Sequence, residues 1–129
     1  MNSAEIVAQQ LAMTRQTWAA LLKHGITEGT ELRLDFSYNA PSRKAAEDLY
    51  ALLQTETDYK LTIESSGSCL SRKWRLEGTT QAMAVSPAVL DEWVTSMVNA
   101  GTQLSCKFDG CGTSVPKHLQ KDTDYGRMG

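Results

Sequence analysis

Near the end of the globular part, the stretch Lys107-Phe108-Asp109-Gly110-Cys111-Gly112-Thr113-Ser114 sets a carboxylate, a thiol and two hydroxyls among two glycines. Two kinds of chemistry are open to such a set. Successive backbone N–H groups of a glycine-rich loop can cradle a phosphate, and a thiol beside a cation can act as a nucleophile. A phosphate loop needs a Lys and a following helix, or a G-x-G-x-x-G segment opening a helix after a strand. Here Pro116 and a polar tail follow instead. A nucleophilic thiol needs a histidine or a helix N-terminus to lower its pKa, and the sequence offers only His118 in the tail and His24 after the first helix. The residues therefore predict a strand-ending turn, with Asp109 bonding its own backbone and Gly110 and Gly112 supplying permissive dihedrals. Cys111 is then an exposed, inert thiol.

No other constellation rises to catalysis. The cysteines Cys69, Cys106 and Cys111 lack C-x-x-C spacing, so zinc ligation is not expected and all three read as free thiols of a reducing compartment. Asp91 and Glu92 are adjacent on a helix, where their side chains diverge; helix-end electrostatics account for them better than a carboxylate pair does. The expectation is a non-enzymatic domain without cofactor or metal.

Charge narrows the partners. Thirteen basic and 15 acidic residues give a net charge of −2, and 41% hydrophobic with 22% charged residues is ordinary globular usage. Sequence-independent nucleic-acid binding, which needs a concentrated basic surface, is disfavoured. No apolar run approaches the roughly 18 residues of a membrane span. The start, with Glu5 and no cationic leader, does not read as a secretion signal, so a cytoplasmic protein is expected.

The elements that must position these residues follow from periodicity. Ser3 opens a helix to about His24 with Val7, Leu11, Trp18, Leu21 and Leu22 on one stripe, closed by Gly25. Residues 31–38 alternate as a strand with Leu32, Leu34 and Phe36 inward. A helix follows from Ser42, then two strands paired as a hairpin around Gly67, with Tyr59, Leu61, Ile63, Leu70, Trp74 and Leu76 inward. Ser86 and Pro87 open the clearest helix, whose stripe is Val89, Leu90, Trp93, Val94, Met97 and Val98, and Gly101 closes it. A last strand carries Leu104, Cys106 and Phe108 inward. Trp18, Trp74 and Trp93 all fall on apolar stripes, where core packing explains them.

An N-terminal helix followed by β-α-β-β-α-β predicts an α+β, ferredoxin-like fold: a four-stranded antiparallel sheet with the helices on one face. Residues 1–116 form one domain, and 117–129 read as a disordered tail. The opposite sheet face would carry Glu31, Arg33, Asp35, Lys60, Thr62, Glu64, Lys73, Arg75, Glu77, Ser105, Lys107 and Asp109. Its charges balance, and it lacks the outward aromatics on which an RNA-recognition domain stacks bases. A solvated face laced with ion pairs is the plain reading, a polar protein-docking surface the functional one.

Two stretches, Leu34 to Leu53 and Ser86 to Thr113, resemble the bacterial RraB family of regulators of RNase E activity. The strongest point is the ending Phe108, Asp109, Gly110, Cys111, Gly112, Thr113, which is similar to that family's aromatic-Asp-Gly-Trp-Gly-Thr, with Cys111 where the family has Trp. The resemblance implies a protein that binds the non-catalytic part of an RNase E-like ribonuclease and lowers its activity on RNA. The tail, with Lys117, Lys121 and Arg127 against Asp122 and Asp124, differs from the acidic tails of those regulators. Two other readings stay open: a small-molecule or nucleotide-binding module with Gly110 to Ser114 as anion contact, and an RNA-binding domain.

Overall fold

The computed structural model describes residues 3–68 and 71–113. In chain order it forms α1 (Ser3–Lys23), β1 (Glu31–Leu32), β2 (Leu34–Ala40), α2 (Arg43–Glu56), β3 (Lys60–Ser66), β4 (Lys73–Thr79), β5 (Met83–Ala84), α3 (Pro87–Gln103) and β6 (Lys107–Thr113). Cys69, Leu70, His118 and the tail lie outside the described residues.

The helix starts are built by side chains, as their sequences require. Ser42 and Ser86 sit in extended backbone and accept hydrogen bonds from the N–H groups of Ala45 and Val89, each at 3.1 Å. Each cap satisfies an otherwise orphaned donor of the first turn.

β3, β4, β2 and β6 lie side by side in that order, every neighbouring pair antiparallel, so β2 and β4 are central. The chain is thus α+β. The alternate residues Phe36, Tyr38, Leu76 and Phe108 turn to one side of this sheet and pack with Leu49 and Leu53 of α2 and Val94 and Val98 of α3. Tyr38 and Phe108 meet edge to face at 5.3 Å, and Phe36 meets Trp93 likewise at 5.8 Å. Such geometry sets the positive ring edge of one partner on the negative face of the other.

The first strand is not continuous through Glu31. β1 leaves the main sheet and pairs with β5, Glu31 opposite Ala84 and Leu32 opposite Met83. At the parting, Thr80 completes the ladder with its side chain: Leu34 N–H donates to its hydroxyl at 3.0 Å, and Thr80 N–H donates to the Leu34 carbonyl at 2.9 Å. This two-stranded flap closes a second core of Leu21, Ile26, Leu32, Leu34, Val85 and Leu90, with Trp18 against it. Glu31 and Arg33 therefore do not belong to the four-stranded face.

α1 lies against α3 and alongside β6. Arg15 grips Asp91 of α3 through both terminal guanidinium nitrogens, at 3.1 and 2.7 Å, so Asp91 joins two helices rather than serving only helix-end electrostatics. Gln10 and Thr14 are buried on this side, whereas Leu22, expected on the apolar stripe, is half exposed. The stripe turns because α1 covers a strand edge as well as a helix: Gln10 Nε2 donates to the Phe108 carbonyl at 3.4 Å.

α3 does not end at Gly101. It runs to Gln103, and Ser105 takes the left-handed backbone at φ 64°. Cys106 N–H then reaches the Gly101 carbonyl at 2.8 Å, and Ser105 N–H reaches Thr102 at 3.2 Å, the two bonds of a Schellman ending. Leu104 and Ser105 belong to this ending rather than to the last strand, while Cys106 is buried as expected. A serine pays for its Cβ at that φ. Ser105→Gly is expected to stabilise the fold by about 1 kcal/mol, read as a higher urea midpoint at unchanged slope.

Candidate functional site: the open face of the sheet

β6 continues through the glycines that the residue types predict as a turn. Cys111 lies opposite Phe36 and Phe108 opposite Tyr38, so Ser37 alone faces both Asp109 and Gly110: a β-bulge. Gly110 takes φ 110°, which absorbs the extra residue. The bulge inverts the alternation beyond it. Phe108 points into the core, Asp109 to the open face, Cys111 again toward the core and Gly112 to the open face; Thr113 ends the strand opposite Leu34.

This corrects two expectations. The Gly110 to Thr113 segment is a strand, with its backbone in the ladder to β2, so it is not a loop that cups an anion; Ser114 lies outside the described residues. Cys111 is packed against the main core instead of exposed, and burial pushes its thiol up to about 11. A thiol held in its protonated form is a poor nucleophile. His24, the histidine among the described residues, follows the last turn of α1.

The open face is organised by Arg75, on central strand β4. Its Nε donates to Glu77 at 3.0 Å, one terminal nitrogen reaches Asp109 at 3.0 Å and Asn39 at 3.3 Å, and the other reaches Ser37 at 2.7 Å. The Glu77 hydrogen bond, followed by that of Asp109, raises the guanidinium above its ordinary range. Ser37 is buried beneath it although its parity is outward. Asp109 is thus bound across three strands rather than to its own backbone. Next to this hub Thr79 donates to Asp35 at 2.8 Å.

An open hollow of about 640 Å³ lies over these residues, bordered by Lys60, Thr62, Glu77, Asp109, Gly112 and, from α1, Met13. Asp35, Lys60, Thr62, Glu64, Lys73, Arg75, Glu77, Lys107 and Asp109 share this face as their alternation predicts. Ser105 does not, because it caps α3. Asn39 and Thr79 join the face by simple extension of the alternation. Met13 does so without any local signal, since its place depends on where α1 docks.

Chemically, the face offers a paired centre of Arg75, Glu77 and Asp109, with Lys60, Glu64, Lys73 and Lys107 around it. Its central carboxylates are occupied by Arg75, which fits recognition by hydrogen bonds and shape better than proton transfer. Among the described residues, no three His, Cys, Asp or Glu side chains converge as a metal site. No helix among them is long and apolar enough to cross a membrane. No protein-family model matches the chain, and no curated protein matches it significantly.

Proposed function

We propose that this chain is a non-enzymatic, cytoplasmic regulatory domain of ferredoxin-like architecture that docks through its open sheet face onto a protein, an RNase E-like ribonuclease being the partner that the RraB resemblance implies. The observation that carries the reading is spatial. Of the ending in which the resemblance is strongest, Asp109, Gly110 and Gly112 border the hollow on the open face, together with Cys111, which stands where the family has Trp; Phe108 is in the core. The bulge brings them there while sealing the Cys111 thiol. Balanced charge and the absence of outward aromatics on the described strands favour a polar protein surface over RNA stacking.

The test is calorimetric titration of the full chain into the non-catalytic region of an RNase E-type ribonuclease, paired with an RNA-cleavage assay. Binding with slowed cleavage is the expected result. Gly112→Arg projects into the hollow from a position where an added Cβ meets nothing within 4 Å. It is expected to weaken binding by roughly tenfold or more with an unchanged melting curve. Absence of binding to the ribonuclease overturns the partner, and full binding by the Gly112→Arg variant overturns the surface. Salt-sensitive binding of the free chain to RNA alone overturns the protein-docking reading.

A further inference from the structure

The two edges of the main sheet are treated differently. Along β6 lies α1, with Gln10 bonded to the Phe108 carbonyl and Met13 beside Gly110. On the other side β3 is terminal, and among the described residues no strand pairs with its outer side. A strand edge left in this state is a template for another strand. We infer that β3 pairs with β3 of a second copy of this chain, antiparallel about a two-fold axis at Thr62, joining two sheets into one.

The residues of β3 are self-complementary in that register and in no neighbouring one. With Thr62 opposite the partner's Thr62, Lys60 faces the partner's Glu64 and Glu64 faces the partner's Lys60, both on the open face. Leu61 and Ile63, half-buried on the helix side, face one another across the axis. Each kind of pair, opposite charges and aliphatic neighbours, is a favourable cross-strand unit. Moving the axis to Leu61 sets Glu64 opposite the partner's Asp58, two like charges. Moving it to Ile63 sets Lys60 against Ser66, Leu61 against Ser65 and Thr62 against Glu64, losing both charge pairs and keeping a single apolar pair, Ile63 with its own copy. Shifting by half a step would place core-facing residues opposite open-face ones. An edge lysine usually blocks strand addition; here a matching glutamate two positions beyond Thr62 turns it into a selector of register.

The contact is isologous, so it closes at a dimer and leaves no further β3 edge. An axis perpendicular to the sheet also keeps the two open faces on the same side. This contact runs along the outer edge of β3 and shares only the margin of the hollow, at Lys60, Leu61 and Thr62, with the proposed ribonuclease-docking face; neither inference needs the other.

Sedimentation of the full chain over a concentration series reads the association directly. A reversible dimer is expected, weakened by salt. Lys60→Glu and Glu64→Lys each replace two attractive pairs by two repulsive ones and raise the dissociation constant on the order of tenfold; the double exchange K60E/E64K restores it. Thr62→Cys gives a covalent dimer under mild oxidation, located by peptide mapping to distinguish it from the native cysteines. Ser66→Cys, which faces the partner's Asp58, does not. A wild type that stays monomeric, a dimer indifferent to K60E, or cross-linking through position 66 as readily as through 62 would each overturn the proposal.

Discussion

Gly101→Ala is expected to lower the stability of the domain by about 2 kcal/mol, which for a chain of this size moves the melting temperature down by roughly 8 °C. The direction is the reverse of what a helix interior ordinarily gives, since alanine exceeds glycine in helix propensity by about 1 kcal/mol. Position 101 differs because Tyr38 and the end of α3 both press on it. A Cβ there would stand 2.6 Å from the Tyr38 ring and 2.7 Å from the Cys106 carbonyl oxygen. Neither neighbour is free to yield. Tyr38 is fully buried, wedged edge to face against Phe108, and its hydroxyl donates to the Met97 carbonyl at 2.7 Å. Cys106 is held by its own N–H bond to the Gly101 carbonyl. The added methyl must therefore either push α3 off the sheet or open the Schellman ending. Gly112→Ala is the control: its Cβ meets nothing within 4 Å, and no change beyond a few tenths of a kcal/mol is expected. Urea unfolding of the two variants side by side checks the pair, and equal midpoints would show that α3 is not seated on Tyr38 as described.

That glycine shows where sequence patterns stop. Its type and place near the end of an apolar stripe match a helix terminator, and the role of terminator instead falls to Ser105, a residue with no preference strong enough to announce it. What decides between them is the approach of Tyr38 from another element, which local sequence does not encode. The alternating strands were legible because a half-buried sheet enforces a period of two residues, and Phe36, Tyr38, Leu76 and Phe108 all obey it. β1 and β5 were not, because two-residue strands carry no period. Instead, residues 31–38 read as one unbroken strand although the ladder changes partner at Arg33. The candidate face was legible in its charged members, Lys60, Arg75, Glu77 and Asp109, and illegible in its organisation. That Arg75 binds Asp109 depends on which strands are neighbours, and the inversion after Gly110 depends on a bulge.

The bulge itself gives the second large effect. Gly110→Ala is expected to cost about 2 kcal/mol, because a side chain at φ 110° is strained wherever it points. Crowding contributes little: the nearest atoms to a Cβ, on Gln10 and Met13, are 3.9 Å away. The strain has a specific outlet, since the chain can relieve it by opening the ladder between Asp109 and Gly112. That opening would expose Cys111 before the rest of the fold is disturbed. Native-state alkylation followed by peptide mapping reads this directly. In the wild type Cys111 should react slowly at neutral pH, because burial holds its thiol near 11 against an ordinary 9.0 and the thiolate is the reactive form. In the Gly110→Ala variant its labelling should accelerate out of proportion to that of Cys106. The same shift fixes the sign of a pH effect. Between 9.0 and about 11 the unfolded chain loses a proton that the folded chain keeps, so Cys111 leaves stability at neutral pH untouched and lowers it as pH rises through that window. Cys111→Ser, whose hydroxyl does not titrate there, should flatten this part of the curve relative to the wild type. A fast-reacting Cys111 in the wild type, or alkaline profiles that coincide for the two chains, would mean that the thiol faces water and that the alternation does not invert at Gly110.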